Sequence, residues 1–355
     1  MIRISFMETI MAVQIDAIGD ALRSEADQYL EFEAHKHLIA EILRLRDANN
    51  VLILGHNYMA PLVYHLSDKH ARGDSLALSR VAAQTDHPII LFDGVRFMAE
   101  TAKILSPSKK VLIADPEAGC SLADPYTAED VCEFRRRFPK APVVTYVNSY
   151  ADIKAESDYC CTSANGLQVV LHASRTFNSR EVIFFPDSLM GANIQNELES
   201  HDIDVIYPGK YDEKFGRCEV HEQFKKEHIL QIREQYHIPR GGRDAAVLVH
   251  WECTPEVVAE ADFCGSTSEM SRYIVDHPEL KRVFLGTECE MAANLAIEYP
   301  QVEFVRTCNI FCQHMRKITL EKILFSLQNG VYEVTVDPHI AARARKAIDR
   351  MLEVH

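Results

Sequence analysis

The sequence predicts an α/β protein. It is read as three similar three-layer αβα domains with parallel sheets, in a pseudo-threefold arrangement around a central site. The first observation is a repeated strand: "VLILGHNYMAPLVYHLSD", "VVTYVNSYADIKAESD" and "VLVHWECTPEVVAEAD" each run from an apolar strand through polar residues into a helix-like stretch. Anchored at His56, Tyr146 and His250, each has an aspartate at +12 (Asp68, Asp158, Asp262) and a polar group at +2 (Tyr58, Asn148, Glu252). The second observation lies downstream of each anchor. A hydroxyl-led helical pattern, another strand ending at Met98, Met190 or Met291, and a fourth strand-like piece ending near Cys120, Cys218 or Cys312 recur in order. The cysteine spacings of 98 and 94 are those of a repeated domain. Alternating strand and helix call for parallel sheets with helices on both faces.

Taken in chain order, residues 1–37 form a helical extension and 38–122 the first α/β repeat. Residues 123–220 form the second repeat and 221–312 the third. Residues 313–355 are a helical tail expected to pack back on the first repeat. Within the third, "KKEHILQIREQYHIPRGGR" reads as a helix followed by a loop. Ligands of such sheets sit beyond the carboxyl ends of the strands, so three such ends can share one site.

At 355 residues the chain is long for one core, in keeping with several units. A net charge of −14 argues against non-specific binding to nucleic acid or an anionic membrane, yet leaves room for a pocket that takes a small anion. Glu8 and Asp16 interrupt the apolar start, no signal-peptide layout is visible, and no run of 18 apolar residues occurs. These features point to a cytoplasmic protein whose ten cysteines are reduced thiols.

One cysteine from each repeat, meeting on the pseudo-threefold axis, makes a soft ligand set suited to zinc or an iron–sulfur cluster. Three thiolates on a cubane cluster leave one iron free to bind substrate. "CEVH" (Cys218, His221) and "CNIFC" (Cys308, Cys312) keep zinc open. Cys132, Cys160, Cys161, Cys264 and Cys289 read as small apolar side chains. Ser75, Thr162–Ser163 and Ser266–Thr267 stand at expected helix N-termini, where free N–H groups attract anions; plain capping is the other reading. His56, Tyr58, Tyr146, Asn148, His250 and Glu252 supply acid, base and hydrogen-bonding groups. The absence of G-x-G-x-x-G, Walker A and H-E-x-x-H patterns argues against a dinucleotide oxidoreductase, an NTPase or a zincin.

The ordered set "HNY", "GDSLALS", "FMAETAKILSP", "AGCSLAD", "VVTYVNS", "CCTSANG", "CEVHEQF", "VHWEC", "GSTSEM", "GTECEM" and "CQHMRKITLE" resembles the quinolinate synthases over about residues 38–330. The resemblance implies three α/β domains around a [4Fe–4S] cluster with one iron not ligated by protein, held by Cys120, Cys218 and Cys312. Cys312 is favoured over Cys308 because "CQHM" matches the family's C-x-x-M. It implies condensation of two anionic substrates, iminoaspartate and dihydroxyacetone phosphate, to quinolinate in NAD biosynthesis, with a functional link to L-aspartate oxidase or aspartate dehydrogenase. Substrate roles fall to His56, Tyr58, Ser75, Tyr146, Asn148, Ser163, His250, Glu252 and Thr267, with His221 near the cluster. Glu252 is expected to be the general base, and Tyr58 and Tyr146 to relay protons or orient hydroxyls. Trp251 and Glu290 stand where the family usually has proline and glycine, and "PDSLMGANI" departs from "PDxNLG". The alternatives are a cluster-dependent lyase or hydro-lyase on another small polycarboxylate, or a non-catalytic iron–sulfur redox sensor.

Overall fold

The computed structural model describes residues 2–212, 214–306 and 309–354, with side chains from residue 11 onward. The first sheet holds β1 (Val51–His56), β2 (Arg72–Gly73), β3 (Ile89–Asp93) and β4 (Lys110–Ile113). The second holds β5 (Val143–Tyr146), β6 (Tyr159–Cys161), β7 (Glu181–Phe185) and β8 (Asp204–Ile206). The third holds β9 (Ala245–His250), β10 (Phe263–Gly265), β11 (Arg282–Gly286) and β12 (Glu303–Phe304). Each sheet is four-stranded with the same order, second–first–third–fourth, and every pairing within the sheets is parallel. The strands are near-continuous apolar runs because helices cover both faces; β1 and β9 are buried at all six positions.

The chain leaves the first strand of each sheet to one side and returns on the other. That strand is therefore the topological switch point, and a crevice opens at its carboxyl end. The anchors occupy these ends in matched register: His56 pairs with Gly73, Tyr146 with Cys161 and His250 with Gly265.

The recurring aspartates divide in use. Asp158 accepts from Val143 N at 2.8 Å and from Arg135 at 2.9 Å, and Asp262 accepts from Val247 N at 2.7 Å and from Arg233 at 2.9 Å. Each ties its unit's first strand to a guanidinium. Asp68 is exposed and begins a short 3₁₀ turn.

The units grip one another cyclically, each holding the turn after the next unit's first strand. Glu100 of the first unit accepts from Ala151 N at 3.0 Å. Asn193 of the second donates to the carbonyls of Trp251 and Cys253, both at 2.8 Å. Asn294 of the third donates to the carbonyls of Asn57 and Met59 at 3.2 and 2.8 Å.

The tail does more than cover the first sheet. Helix Leu320–Asn329 packs on helix Ala26–Ala48 and on β4. Helix Pro338–Glu353 lies instead against β6 and helix Ala151–Ala155 of the second unit, as well as helix Arg96–Leu105 of the first. Asn165 Nδ2 reaches Met351 O at 3.1 Å, and Arg350 reaches Asp158 O at 2.8 Å, which fixes the tail on the second unit. No described helix is long and apolar enough to cross a membrane.

Candidate active site

The three crevices open into one cavity. Its wall contains every residue that the sequence assigns to substrate or cluster: His56, Tyr58 and Ser75; Cys120; Tyr146, Asn148 and Ser163; Cys218 and His221; His250, Glu252 and Thr267; and Cys312. Cys308 lies outside the described residues.

The hydroxyl clusters lie at or just before helix N-termini. Asp74, not Ser75, caps helix Ser75–Gln84, accepting from Ala77 N at 2.9 Å. Helix Gly166–Phe177 starts after Asn165, so Thr162 and Ser163 precede it in a turn held by Asn165 Oδ1. In the third unit Ser266 caps helix Thr267–Asp276 in a capping box with Glu269.

Glu252 is the centre of the polar network. Tyr146 Oη donates to its Oε1 at 2.5 Å and Asn148 Nδ2 to the same oxygen at 3.2 Å. Oε2 lies 2.7 Å from His221 Nδ1 and 4.0 Å from His250 Nδ1. Burial raises the carboxyl, but His221 beside it and the Tyr146 hydrogen bond outweigh it and hold Glu252 well below the usual carboxylate range. Burial pushes His56 down to about 4 and His250 to about 3, so both are neutral donors or acceptors near neutral pH. Burial, with Glu252 beside them, keeps Tyr58 and Tyr146 protonated. The units are joined through the site: His250 Nε2 meets Ser163 Oγ at 3.1 Å, and Asn57 Nδ2 donates to Thr267 Oγ1 at 2.8 Å.

The cysteines sit in turns that suit anionic sulfur. The Cys120 sulfur faces the backbone N–H groups of Leu122 and Ala123, Cys218 that of His221, and Cys312 those of Met315 and His314. Gly119 allows the first of these turns, because a Cβ there would meet the Asp124 carboxylate at 2.8 Å. Burial raises all three thiols, Cys312 to about 12, and each is raised further by neighbouring negative groups. A soft cation that replaces the three thiol protons removes that penalty, and N–H groups aimed at sulfur are how proteins tune such centres. The donors of Cys218, His221 and Glu252 also lie within 4.8 Å of one another. His221 Nε2 meets Thr287 Oγ1 at 2.9 Å, so Nδ1 is the nitrogen that faces Glu252. The three thiols line one cavity wall, and thiolate is a ligand for soft metals.

Several residues here were assigned no role from the sequence. Thr287 links Tyr58 to His221. Glu288, pushed to about 8 by burial, caps helix Cys289–Glu298 and accepts from Cys312 N at 3.3 Å. Asp187 caps helix Ser188–Glu197 from a fully buried position. They follow third strands, where only the methionine spacing marked a repeat. Of the departures from the family pattern, Trp251 uses its carbonyl to accept from Asn193, and Glu290 pairs with Arg316 at 3.5 Å.

A triplicated α/β chain whose strand ends converge on thiols, imidazoles and one ionised carboxylate defines a small-molecule enzyme scaffold with a soft-metal ligand set. Residues 40–353 match the sequence model of the family described as Quinolinate synthetase A protein. The chain is 47% identical over 325 residues to "Quinolinate synthase 1" of Mesorhizobium japonicum, covering 92% of this chain and 94% of that one. It is 44% identical over 346 residues to a quinolinate synthase of Xylella fastidiosa, covering 97% and 94%, and 43% identical over 325 residues to one of Caulobacter vibrioides, covering 92% and 84%. The chain belongs to the quinolinate synthetase A family.

Proposed function

We propose that this chain is a quinolinate synthase, forming quinolinate from iminoaspartate and dihydroxyacetone phosphate with loss of phosphate and water, in NAD biosynthesis. The observation that carries this reading is the convergence of one thiol from each unit and of Glu252 on a single buried cavity, in a chain of this family.

Cys120, Cys218 and Cys312 hold a [4Fe–4S] cluster, which when bound supplies a Lewis-acidic iron that polarises a substrate oxygen. The other roles belong to the chain's own side chains. The N-terminal turns of helices Ser75–Gln84 and Thr267–Asp276, with Ser163, bind phosphate and carboxylate groups. His56 and His250, neutral by burial, and Asn148 orient substrate through hydrogen bonds. Glu252, ionised, takes a proton from carbon, while Tyr58 and Tyr146, protonated, donate to or orient oxygens that gain charge. Cysteine ligands of this kind need a reducing compartment, so the chain works in the cytoplasm. An L-aspartate oxidase or aspartate dehydrogenase supplies the iminoaspartate.

The test is an anaerobic assay of the cluster-loaded protein with both substrates, reading quinolinate, alongside iron content and the absorption and EPR spectra. Quinolinate formation that depends on both substrates supports the reading. A loaded cluster with no quinolinate, or turnover of another polycarboxylate alone, overturns it in favour of a sensor or a hydro-lyase.

A further inference from the structure

We infer that Lys154 is a positioning residue: its buried side-chain nitrogen clasps the Ser149 carbonyl and so holds the turn that presents Asn148 to Glu252. The inference rests on reading the cavity as the quinolinate-forming site.

The first strand of each unit ends in a turn whose carbonyls, one and three residues past the anchor, need partners. In two units an asparagine of the neighbouring unit takes both. Asn294 donates to Asn57 O and Met59 O, and Asn193 to Trp251 O and Cys253 O. Each asparagine stands three residues after its unit's recurring methionine, Met291 or Met190. Counted the same way from Met98, the first unit has Thr101, whose hydroxyl donates to Phe97 O of its own helix at 2.9 Å. The second unit's turn thus meets no asparagine at this position, and its two carbonyls find local partners. Val147 O accepts from Ser149 N at 2.7 Å, and Ser149 O accepts from Lys154 Nζ. Lys154 lies on helix Ala151–Ala155, eight residues past Tyr146. The matching positions after His56 and His250 hold Tyr64 and Val258, neither of which carries an amine. The clasp belongs to the second unit alone.

The clasped turn is the one that reaches Glu252. The bond from Ser149 N to Val147 O closes a three-residue turn with Asn148 at its centre. Asn148 Nδ2 then donates to Glu252 Oε1 at 3.2 Å. Ser149 Oγ donates to Tyr146 O at 2.9 Å, which tethers the same turn to the end of β5. Ser149 and Lys154 are both 0% exposed. An amine taken out of water is costly, and the Phe97 ring at 5.6 Å is weak compensation. If this position served stability alone, an apolar side chain of similar length would serve as well. What such a side chain lacks is a donor that reaches back five residues to one carbonyl.

Lys154→Met keeps the length and removes the donor. The variant should fold and carry wild-type iron, because the neighbouring Glu100 keeps its bonds to Arg96 and to Ala151 N, both at 3.0 Å. Its kcat/KM for quinolinate formation should fall about ten- to hundredfold through misplacement of an orienting group. Added to Asn148→Ala, however, Lys154→Met should change kcat/KM by less than about twofold, since the lysine acts through the asparagine. A lysine that only supported the fold would give the full loss again. A second readout does not depend on turnover. Amide hydrogen exchange of the cluster-free chain, read by mass spectrometry on peptides spanning residues 147–151, should be about tenfold faster in Lys154→Met, with peptides of β7 unchanged. Failure of Lys154→Met to fold or hold iron, wild-type kcat/KM in that variant, additive losses with Asn148→Ala, or unchanged exchange across 147–151 would each overturn the proposal. If the wild-type protein makes no quinolinate, the functional reading fails by itself and the exchange rates decide the case of Lys154.

Discussion

Tyr146, at the end of β5, donates its hydroxyl at 2.5 Å to Glu252, two residues beyond β9, so the second and third units are joined by a hydrogen bond inside the site. With Asn148 donating to the same oxygen, both lone pairs of Oε1 are occupied. Oε2 faces His221 and retains capacity to accept. A proton arriving at Glu252 enters through Oε2, on the His221 side, while Oε1 stays fixed by the second unit.

Glu252→Gln keeps the shape and the Oε1 acceptor but removes the base. Anaerobic turnover should fall by about 10²–10⁴, the usual contribution of a general acid–base group. Iron content should match wild type, and KM should stay within about threefold. Wild-type turnover with an intact cluster would remove Glu252 from the chemistry. Loss of iron would make it a support for the cluster.

Cys120→Ser, Cys218→Ser and Cys312→Ser should each abolish the cluster, read as loss of iron and of the visible absorption band of the anaerobically prepared protein. A serine oxygen is a hard ligand and a poor substitute for thiolate on iron. Cys160→Ser and Cys253→Ser, at buried positions outside the cavity wall, should retain iron. Retention of the cluster in Cys312→Ser with loss in Cys308→Ser would move the third ligand.

Much of this architecture was legible because duplication multiplies weak signals. One strand-turn-helix is ambiguous, but His56, Tyr146 and His250 recur with their neighbours in register, and the three sheets share one strand order. Periodicity could not separate structural from functional repeats. Asp158 and Asp262 recur as faithfully as the anchors, yet they tie down the first strands of their units. Nor could it find Thr287, Glu288 or Asn294. Their partners lie 229 residues (Thr287 to Tyr58), 24 residues (Glu288 to Cys312) and 237 residues (Asn294 to Asn57) away, and only folding brings them together. Ser75 opens its helix one residue past the Asp74 cap; Asp and Ser are both good caps, and local sequence does not rank them.

The cyclic grip between units predicts matched stability losses. Asn294→Leu and Asn193→Leu each remove the amide that donates to two backbone carbonyls in a neighbouring unit. Leaving such acceptors buried and unmade costs about 1–3 kcal/mol. Denaturant unfolding of the cluster-free chain should show that loss in both variants. Asn196→Leu, an exposed change on the same helix as Asn193, should stay within about 0.5 kcal/mol of wild type. Losses below that threshold in both buried variants would mean the units are held by apolar packing alone.

His65 predicts how the fold responds to acid. It is 6% exposed, packs edge-on against Tyr64 at 5.6 Å, and its Nε2 has no hydrogen-bond partner among the described residues. Burial first, then the charges of Arg72 and Lys69, push it down to about 3. The unfolded chain takes up this proton near pH 6.5, while the folded chain refuses it until about 3. The group therefore costs nothing above pH 6.5. Below that it favours unfolding by roughly 1.4 kcal/mol per pH unit, until the folded pKa is reached. His65→Leu removes the titration, while the backbone carbonyl that accepts from Arg72 at 3.2 Å remains. Relative to wild type, the variant should gain about 2 kcal/mol in stability between pH 7.5 and pH 5. His56 and His250, buried in the cavity wall, still titrate in both proteins, so the comparison isolates the one group. The measurement is denaturant unfolding of both cluster-free proteins at the two pH values. Parallel losses on acidification would show that His65 is already open to protons in the folded state.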